Sequence, residues 1–294
     1  MSDTIASPSP RRLAREQGVD IDALARKLGR TTISAEDVSG SARPAASAGD
    51  TSYWDVDHSR YGPVTKEPMS RFAQVASKNL AAAQALIPAV THHERADVSA
   101  IEALRKSWKA EAQARGVKLT ALAFHVVALS RALRAFPRFN ASLTPDGEDL
   151  VLKDYVHIGI AVDTPHGLMV PVIRDADRKG LWQIGAEIAD LAGRAQARKV
   201  RQDEMGGASM TITNLGGIGG TAFTPIINPP EVAILGVARS SVEPVYVDGE
   251  LQPRTIMPLS LSYDHRLIDG ADGARFLRYI CQGLENPFFL AFEG

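Results

Sequence analysis

The chain has 294 residues, 45% apolar and 23% charged, with 33 basic against 34 acidic residues. That is the profile of a soluble globular protein long enough for about two domains. A net charge of -1 argues against nucleic acid as the partner, and no apolar run approaches the roughly 20 residues of a membrane helix. The N-terminus, MSDTIASPSP, has no basic stretch followed by an apolar one, so no secretory signal is expected. Cys281 is the single cysteine; it excludes an internal disulfide and a Cys-rich metal site, and the expected compartment is the reducing cytoplasm.

Taken in chain order, residues 1–7 read as a tail. Residues 8–39 read as a small helical unit: Ser9-Pro10 opens a helix that carries Leu13 and Ala14 inward and ends at Gly18. Ile21, Leu24, Ala25 and Leu28 space a second helix, and Ser34-Ala35-Glu36-Asp37 opens a last helical turn. So few residues bury little apolar area, which suits a docking module better than an enzyme. Residues 40–62, rich in Ala, Ser, Gly and Asp, read as a flexible linker.

Residues 63–294 carry the large unit. An alanine-rich helix is expected over 70–86, a strand over 89–98, and a helix capped by Ser99 and running to about Arg115. Leu119 to Phe136 is apolar nearly all round and must be buried on most sides. Strands follow at 156–162 and 167–173, then an amphipathic helix from Leu181 to about Arg198. Further strands are expected at 209–213, 231–237 and 258–263, and a last helix over 270–283. The mixture predicts an α/β sandwich on a mixed sheet.

Gly217-Ile218-Gly219-Gly220-Thr221-Ala222 fits a loose dinucleotide fingerprint, but Pro225, Pro229 and Pro230 forbid the helix that must follow. His92-His93-Glu94 lacks metal-ligand spacing, because adjacent strand residues face opposite ways. Cys281 falls in the apolar pattern of the last helix. The informative stretch is Ser260-Leu261-Ser262-Tyr263-Asp264-His265-Arg266-Leu267-Ile268-Asp269-Gly270. A histidine at a strand exit is held firmly yet stays accessible, which suits a general base; a surface histidine in a charged turn would leave the same pattern.

His265-x-x-x-Asp269-Gly270 matches the active-site signature of the dihydrolipoamide acyltransferases of 2-oxo acid dehydrogenase complexes, a signature shared with chloramphenicol acetyltransferase. Met210-Thr211-Ile212-Thr213-Asn214-Leu215-Gly216, Pro230-Glu231-Val232-Ala233-Ile234-Leu235-Gly236 and Pro137-Arg138-Phe139-Asn140-Ala141-Ser142-Leu143 resemble the same family. The likeness covers residues 66–283 and is strongest to the acetyl-transferring branch of pyruvate dehydrogenase complexes. It implies a chloramphenicol-acetyltransferase-like sandwich and acyl transfer between dihydrolipoamide and coenzyme A. His265 would deprotonate the thiol, and Thr213 would donate to the oxyanion from a neighbouring subunit of a trimer. Asp269 would pair with Arg71, with Asn214 also supporting the site. Arg105 and Lys106 would border the nucleotide end of coenzyme A, and Asp163 and Thr221 its pantetheine channel.

Residues 11–20 and 36–38 resemble the peripheral subunit-binding domain of these enzymes. The likeness implies docking of dihydrolipoamide dehydrogenase or a 2-oxo acid decarboxylase through Arg11 and Arg15. Family members usually begin with lipoyl domains; this chain starts at the docking module, so the acyl group is expected to arrive on the lipoyl group of another chain. Phe288, Phe289 and Phe292 would be the residues that plug a neighbouring trimer in a larger core. Two readings compete with acyl transfer to lipoamide: a scaffold that binds the other subunits without turnover, and an acyl-coenzyme A transferase or thioesterase with another acceptor. No metal is expected.

Overall fold

The computed structural model describes residues 7–17, 19–28, 30–35, 37–38 and 54–292. It divides into two compact units, Met1–Glu67 and Pro68–Gly294. The expected tail lies outside the described residues up to position 6, and the expected linker up to position 53. Beyond it, His58–Tyr61 forms a single 3-10 turn capped by Asp57.

In the first unit, α1 spans Pro8–Gln17 and α2 spans Ile21–Leu28. The first helix starts at Pro8 rather than at Pro10; a proline in the opening turn removes only an N–H that has no helical partner. Asp20 caps α2, its Oδ1 accepting from the N–H of Asp22 at 2.9 Å and of Ala23 at 3.1 Å. Ala35, Asp37 and Val38 are helical, as the Ser34 signal predicts. Ser34 N–H and Oγ both donate to Asp37 at 2.8 Å, and these bonds lead the causes that hold its carboxyl below the usual range. Among the described residues, Ala14, Leu24, Ala25, Ile33 and Val38 form its buried core, with Leu13, Val19 and Ile21 packed against it.

The second unit is built on one mixed sheet. Its strands are β1 (Ala89–Asp97), β4 (Ile158–Ala161), β5 (Val172–Ile173), β6 (Met210–Asn214), β7 (Ala233–Val237), β8 (Ser241–Val247) and β9 (Glu250–Asp264). They lie in the order β1-β9-β7-β6-β4-β5, with β8 paired to the early half of β9. Only β4, β6 and β7 run parallel to one another. Two further strands, β2 (Ala141–Leu143) and β3 (Leu150–Leu152), form a separate hairpin. The helices are α3 (Arg71–Leu86), α4 (Ser99–Ser107), α5 (Lys109–Ala114), α6 (Ala121–Ala135), α7 (Leu181–Gln196), α8 (Gly270–Glu285) and α9 (Pro287–Phe292).

Alternation along each strand divides the residues between two faces. Ile158, Ile160, Met210, Ile212, Leu235, Leu259, Leu261 and Tyr263 join the core cluster that holds Phe124, Leu129, Phe276 and Leu277 of α6 and α8. The other face carries Thr91, Thr211, Thr213, Gly236, Ser260 and Ser262. The helix expected over 99–115 is broken at Trp108, which ends α4 and precedes α5. Ser99 is not its cap: Asp97 accepts from the Ser99 N–H at 3.0 Å, while Ser99 Oγ accepts from Thr255 N–H at 2.8 Å. No helix among the described residues is long and apolar enough to cross a membrane.

His125 lies inside α6, 3% exposed. Its Nδ1 has no partner, and burial pushes it down to about 4. An unfolded histidine titrates near 6.5, so between that pH and about 4 the unfolded chain holds the extra proton. Stability therefore falls as pH drops through that window, by at most about 3 kcal/mol, and is unaffected above it. His125→Leu is expected to flatten this acid dependence. Urea midpoints at mildly acid and neutral pH check it, and an unchanged difference between them would refute it.

Candidate active site

The strand β9 ends at Asp264, and His265 is the first exposed residue beyond it. Its N–H donates to the carbonyl of Pro88 at 3.1 Å, which ties the strand exit to the chain just before β1. The Tyr263 ring lies 6.0 Å from the imidazole, centroid to centroid. Tyr263 is itself fixed from behind: a Cβ on Gly273 would stand 2.7 Å from its ring, so α8 approaches that ring closely only because position 273 has no side chain. Burial, with a smaller contribution from the Asp269 charge, pushes the Tyr263 phenol up.

Asp269 sits at the start of α8 and accepts from the Asp272 N–H at 3.1 Å. Among the described residues of the single chain, no ion pair joins Asp269 to Arg71. The carboxylate is engaged as a helix cap, and Arg71 opens α3 as an exposed residue without an acidic partner among the described residues.

Thr213 lies on β6 opposite Gly236 of β7, and Gly236 in turn lies opposite Ser260 of β9. A Cβ at Gly236 would come within 2.7 Å of the Phe223 ring, so glycine lets the 217–230 segment lie close to the sheet beside Thr213. Two residues earlier, Thr211 donates to Glu231 Oε1 at 2.9 Å, as Asn228 does at 3.0 Å. Burial pushes the Glu231 carboxyl up. Asn214 turns the chain out of β6, its Oδ1 accepting from Gly216 N–H at 2.8 Å.

This register separates the two groups that would have to cooperate. His265 lies five residues beyond Ser260, roughly 17 Å along the strand, and two strand spacings, about 10 Å, across from Thr213. No single reacting carbonyl can touch both side chains of one chain.

Arg105, Lys106, Lys109 and Lys118 line one cleft of about 450 Å³ between α4, α5 and the start of α6. Arg105 is paired with Glu102; Lys106, Lys109 and Lys118 have no carboxylate partner among the described residues. Sequence reasoning singled out the first two. Lys118 was missed because only the folding back of the chain after α5 brings it beside the others, whereas Lys109, three residues after Lys106, was within reach of the sequence pattern. Asp163 and Thr221 are both exposed loop residues, and neither lines this cleft. The carbonyl of Asp163 accepts from the Gln196 side chain at 2.5 Å. No helix follows the glycines at 217–220, as the prolines predict. Cys281 is fully buried, and burial pushes its thiol up to about 12.

A family model described as 2-oxoacid dehydrogenases acyltransferase (catalytic domain) matches residues 61–292. The acetyltransferase component of the pyruvate dehydrogenase complex of Pseudomonas aeruginosa is 46% identical over 93% of this chain and 52% of its own length. This chain thus spans about half the length of the curated relatives it first matches. Among solved structures, the dihydrolipoamide acetyltransferase of Azotobacter vinelandii is 49% identical with a TM-score of 0.79, over 81% of this chain and 98% of that one. In that enzyme a serine, a histidine and an asparagine are the residues considered for a role in the catalytic mechanism. There the serine precedes the histidine by 52 residues and the asparagine follows it by four; Thr213 and Asp269 stand at the same two intervals from His265. The cubic core of a pyruvate dehydrogenase multienzyme complex gives the same TM-score, identity and coverage.

Proposed function

Since this chain belongs to the 2-oxoacid dehydrogenase acyltransferase family, we propose that it transfers an acyl group, acetyl first among them, between dihydrolipoamide and coenzyme A. The observation that carries this reading is the placement of His265: exposed, at the exit of a core strand, with its own N–H bonded to Pro88. In the proposed reaction, an imidazole nitrogen takes the proton of the attacking thiol. The sulfur adds to the thioester carbonyl, and the carbonyl oxygen becomes an oxyanion held by a hydroxyl donor. Collapse expels the second thiolate, which recovers the proton from the imidazolium, so the histidine ends as it began.

Thr213 is the proposed oxyanion donor, supplied by a neighbouring copy because its own His265 is out of reach. The exposed apolar residues of α3, Phe72, Val75, Leu80 and Leu86, support such a neighbour: a 16-residue helix leaving them all to solvent is unusual unless another surface covers them. A homotrimer, alone or as the unit of a larger core, is the assembly proposed. Asp269 differs in charge from the asparagine of the Azotobacter enzyme, and its role is to cap and orient α8 behind the histidine. Asn214 supports the turn after Thr213, and Arg71, Asp163 and Thr221 remain candidates for contacts across the subunit boundary and along the pantetheine channel. The helical unit at 8–39, with Arg11 and Arg15 on one helix, is proposed to dock a dihydrolipoamide dehydrogenase or decarboxylase subunit. The cytoplasm is the compartment proposed.

The four-cation cleft suits the phosphates of coenzyme A, since three of its exposed charges lack a carboxylate partner among the described residues and clustered cations concentrate an anion. Lys106→Gln with Lys109→Gln is expected to raise KM for coenzyme A by roughly tenfold, leave kcat unchanged, and weaken the salt dependence of KM. Initial rates over a coenzyme A series check it. The function itself is tested with acetyl-coenzyme A and dihydrolipoamide. Thioester exchange that needs both supports the proposal. Free coenzyme A released without the dithiol would indicate a thioesterase, and binding of partner subunits without any turnover would indicate a scaffold.

A further inference from the structure

The backbone around the exposed imidazole is accounted for bond by bond, and most of the bonds converge on one residue. Asp264 N–H donates to Val232 at 2.8 Å and His265 N–H to Pro88 at 3.1 Å. The next three N–H groups all end on Asp264: Arg266 on its Oδ1 at 3.0 Å, Leu267 and Ile268 on its carbonyl at 3.0 Å each. The Arg266 side chain closes the ring, with Nε 3.0 Å from Oδ1 and Nη2 2.6 Å from Oδ2. Asp264 is 3% exposed, a position where an ionised carboxylate is tolerated only with paired and bonded oxygens. The forked guanidinium meets that need in a way a lysine cannot.

We propose that Asp264 and Arg266 are positioning residues for His265: the residue before the imidazole and the residue after it are clamped to each other, which fixes the backbone that aims the ring. The proposal rests on the reading of His265 as the base. A clamp of this kind acts on the geometry of the reacting complex rather than on binding. Displacing a reacting group by about 1 Å costs on the order of 100-fold in rate.

The test uses the full chain in its native assembly, with acetyl-coenzyme A and dihydrolipoamide as substrates. Asp264→Asn and Arg266→Gln are each expected to lower kcat by about 30- to 100-fold while both KM values stay within about twofold. Arg266→Lys keeps the charge but loses the fork, and is expected to recover little of the loss. The two variants should also move the acid limb of the pH–rate profile in opposite directions. Asp264→Asn leaves a cation unopposed beside the imidazole and moves the limb to lower pH; Arg266→Gln leaves an anion unopposed and moves it to higher pH. Loosening of the fold alone would not produce opposite shifts. Arg275→Gln, which breaks the exposed pair with Asp272 on α8, is the control and should change nothing. Arg266 has a side chain 44% exposed, so Arg266→Gln serves if Asp264→Asn does not fold. Retained kcat in a folded variant, or lost kcat with an unmoved acid limb, overturns the clamp. His265→Ala in the same assay separates the two ideas: if it turns over normally, the reading of the base fails; if it is inactive while Arg266→Gln is normal, only the clamp fails.

Discussion

His265→Ala is expected to lower kcat for acetyl exchange between coenzyme A and dihydrolipoamide by roughly 10²–10⁴-fold, the span that a positioned general base contributes. The upper half of that span is the expectation here, because the titratable groups described around His265 in its own chain are engaged elsewhere or buried. Asp264 is engaged on both oxygens by Arg266. Asp269 is occupied with the first turn of α8. The Tyr263 phenol is buried and pushed up, so even less of it is ionised and able to take a proton than in a free tyrosine. KM for coenzyme A should change little, since the basic cleft formed by α4, α5 and the start of α6 contains no part of the β9 exit. Exposure of His265 also means that its removal leaves no cavity, so the melting temperature should stay within a few degrees. Initial rates of thioester exchange, together with a melting curve, give both readings. A folded His265→Ala protein that retained a tenth of its kcat would end the proposed mechanism.

The parts of this fold that were legible in the sequence are those with a strong period. The apolar run from Leu119 to Phe136 became α6, with nine buried residues, and the mixed order of helices and strands gave the mixed sheet. What was not legible depends on pairing partners far away in the chain. The strand expected at 258–263 begins at Glu250, because its early half pairs with β8 instead of with the sheet centre. Prolines obscured that ribbon: Pro244 lies opposite Pro253, a pairing possible only where neither N–H is needed in the ladder. The β2–β3 hairpin is three residues a side, too short for alternation to register.

The candidate site divides in the same way. His265 could be singled out because a histidine at a strand exit stands apart from its surroundings. Thr213 could not be from pattern alone, since threonine is an ordinary strand residue; only the family resemblance raised it. Its distance from His265 is a matter of register, set by Gly236 and Ser260 between them. Asp264 and Arg266 entered only as the flanks of a pattern that a surface histidine in a charged turn would leave equally well. The available signal was an acid and an arginine placed on either side of a histidine at the end of an apolar strand, where the acid falls on the buried side of the exit.

The separation of Thr213 from His265 leads to the other large effect, seen in mixtures rather than in single variants. Thr213→Ala alone is expected to lose on the order of 10²–10³ in kcat, the cost of removing one oxyanion donor. If each site takes its histidine from one copy and its threonine from the next around a ring, co-assembling the Thr213→Ala and His265→Ala chains should restore activity. Some sites then combine a copy with an intact histidine and a neighbour with an intact threonine. For random equal mixing in a closed ring, about one site in four is of this kind, whatever the number of copies. The mixture is therefore expected to reach roughly a quarter of the unmutated rate, far above either parent. Copies unfolded together and refolded, then assayed against the same copies mixed after folding, give the comparison; only the first should recover. The opposite result has a definite meaning. A refolded mixture no faster than the mean of its parents would place the oxyanion donor in the same copy as the base. The register of β6, β7 and β9 forbids Thr213 that role, so the hydroxyl or amide that holds the oxyanion would have to be sought beside the β9 exit itself.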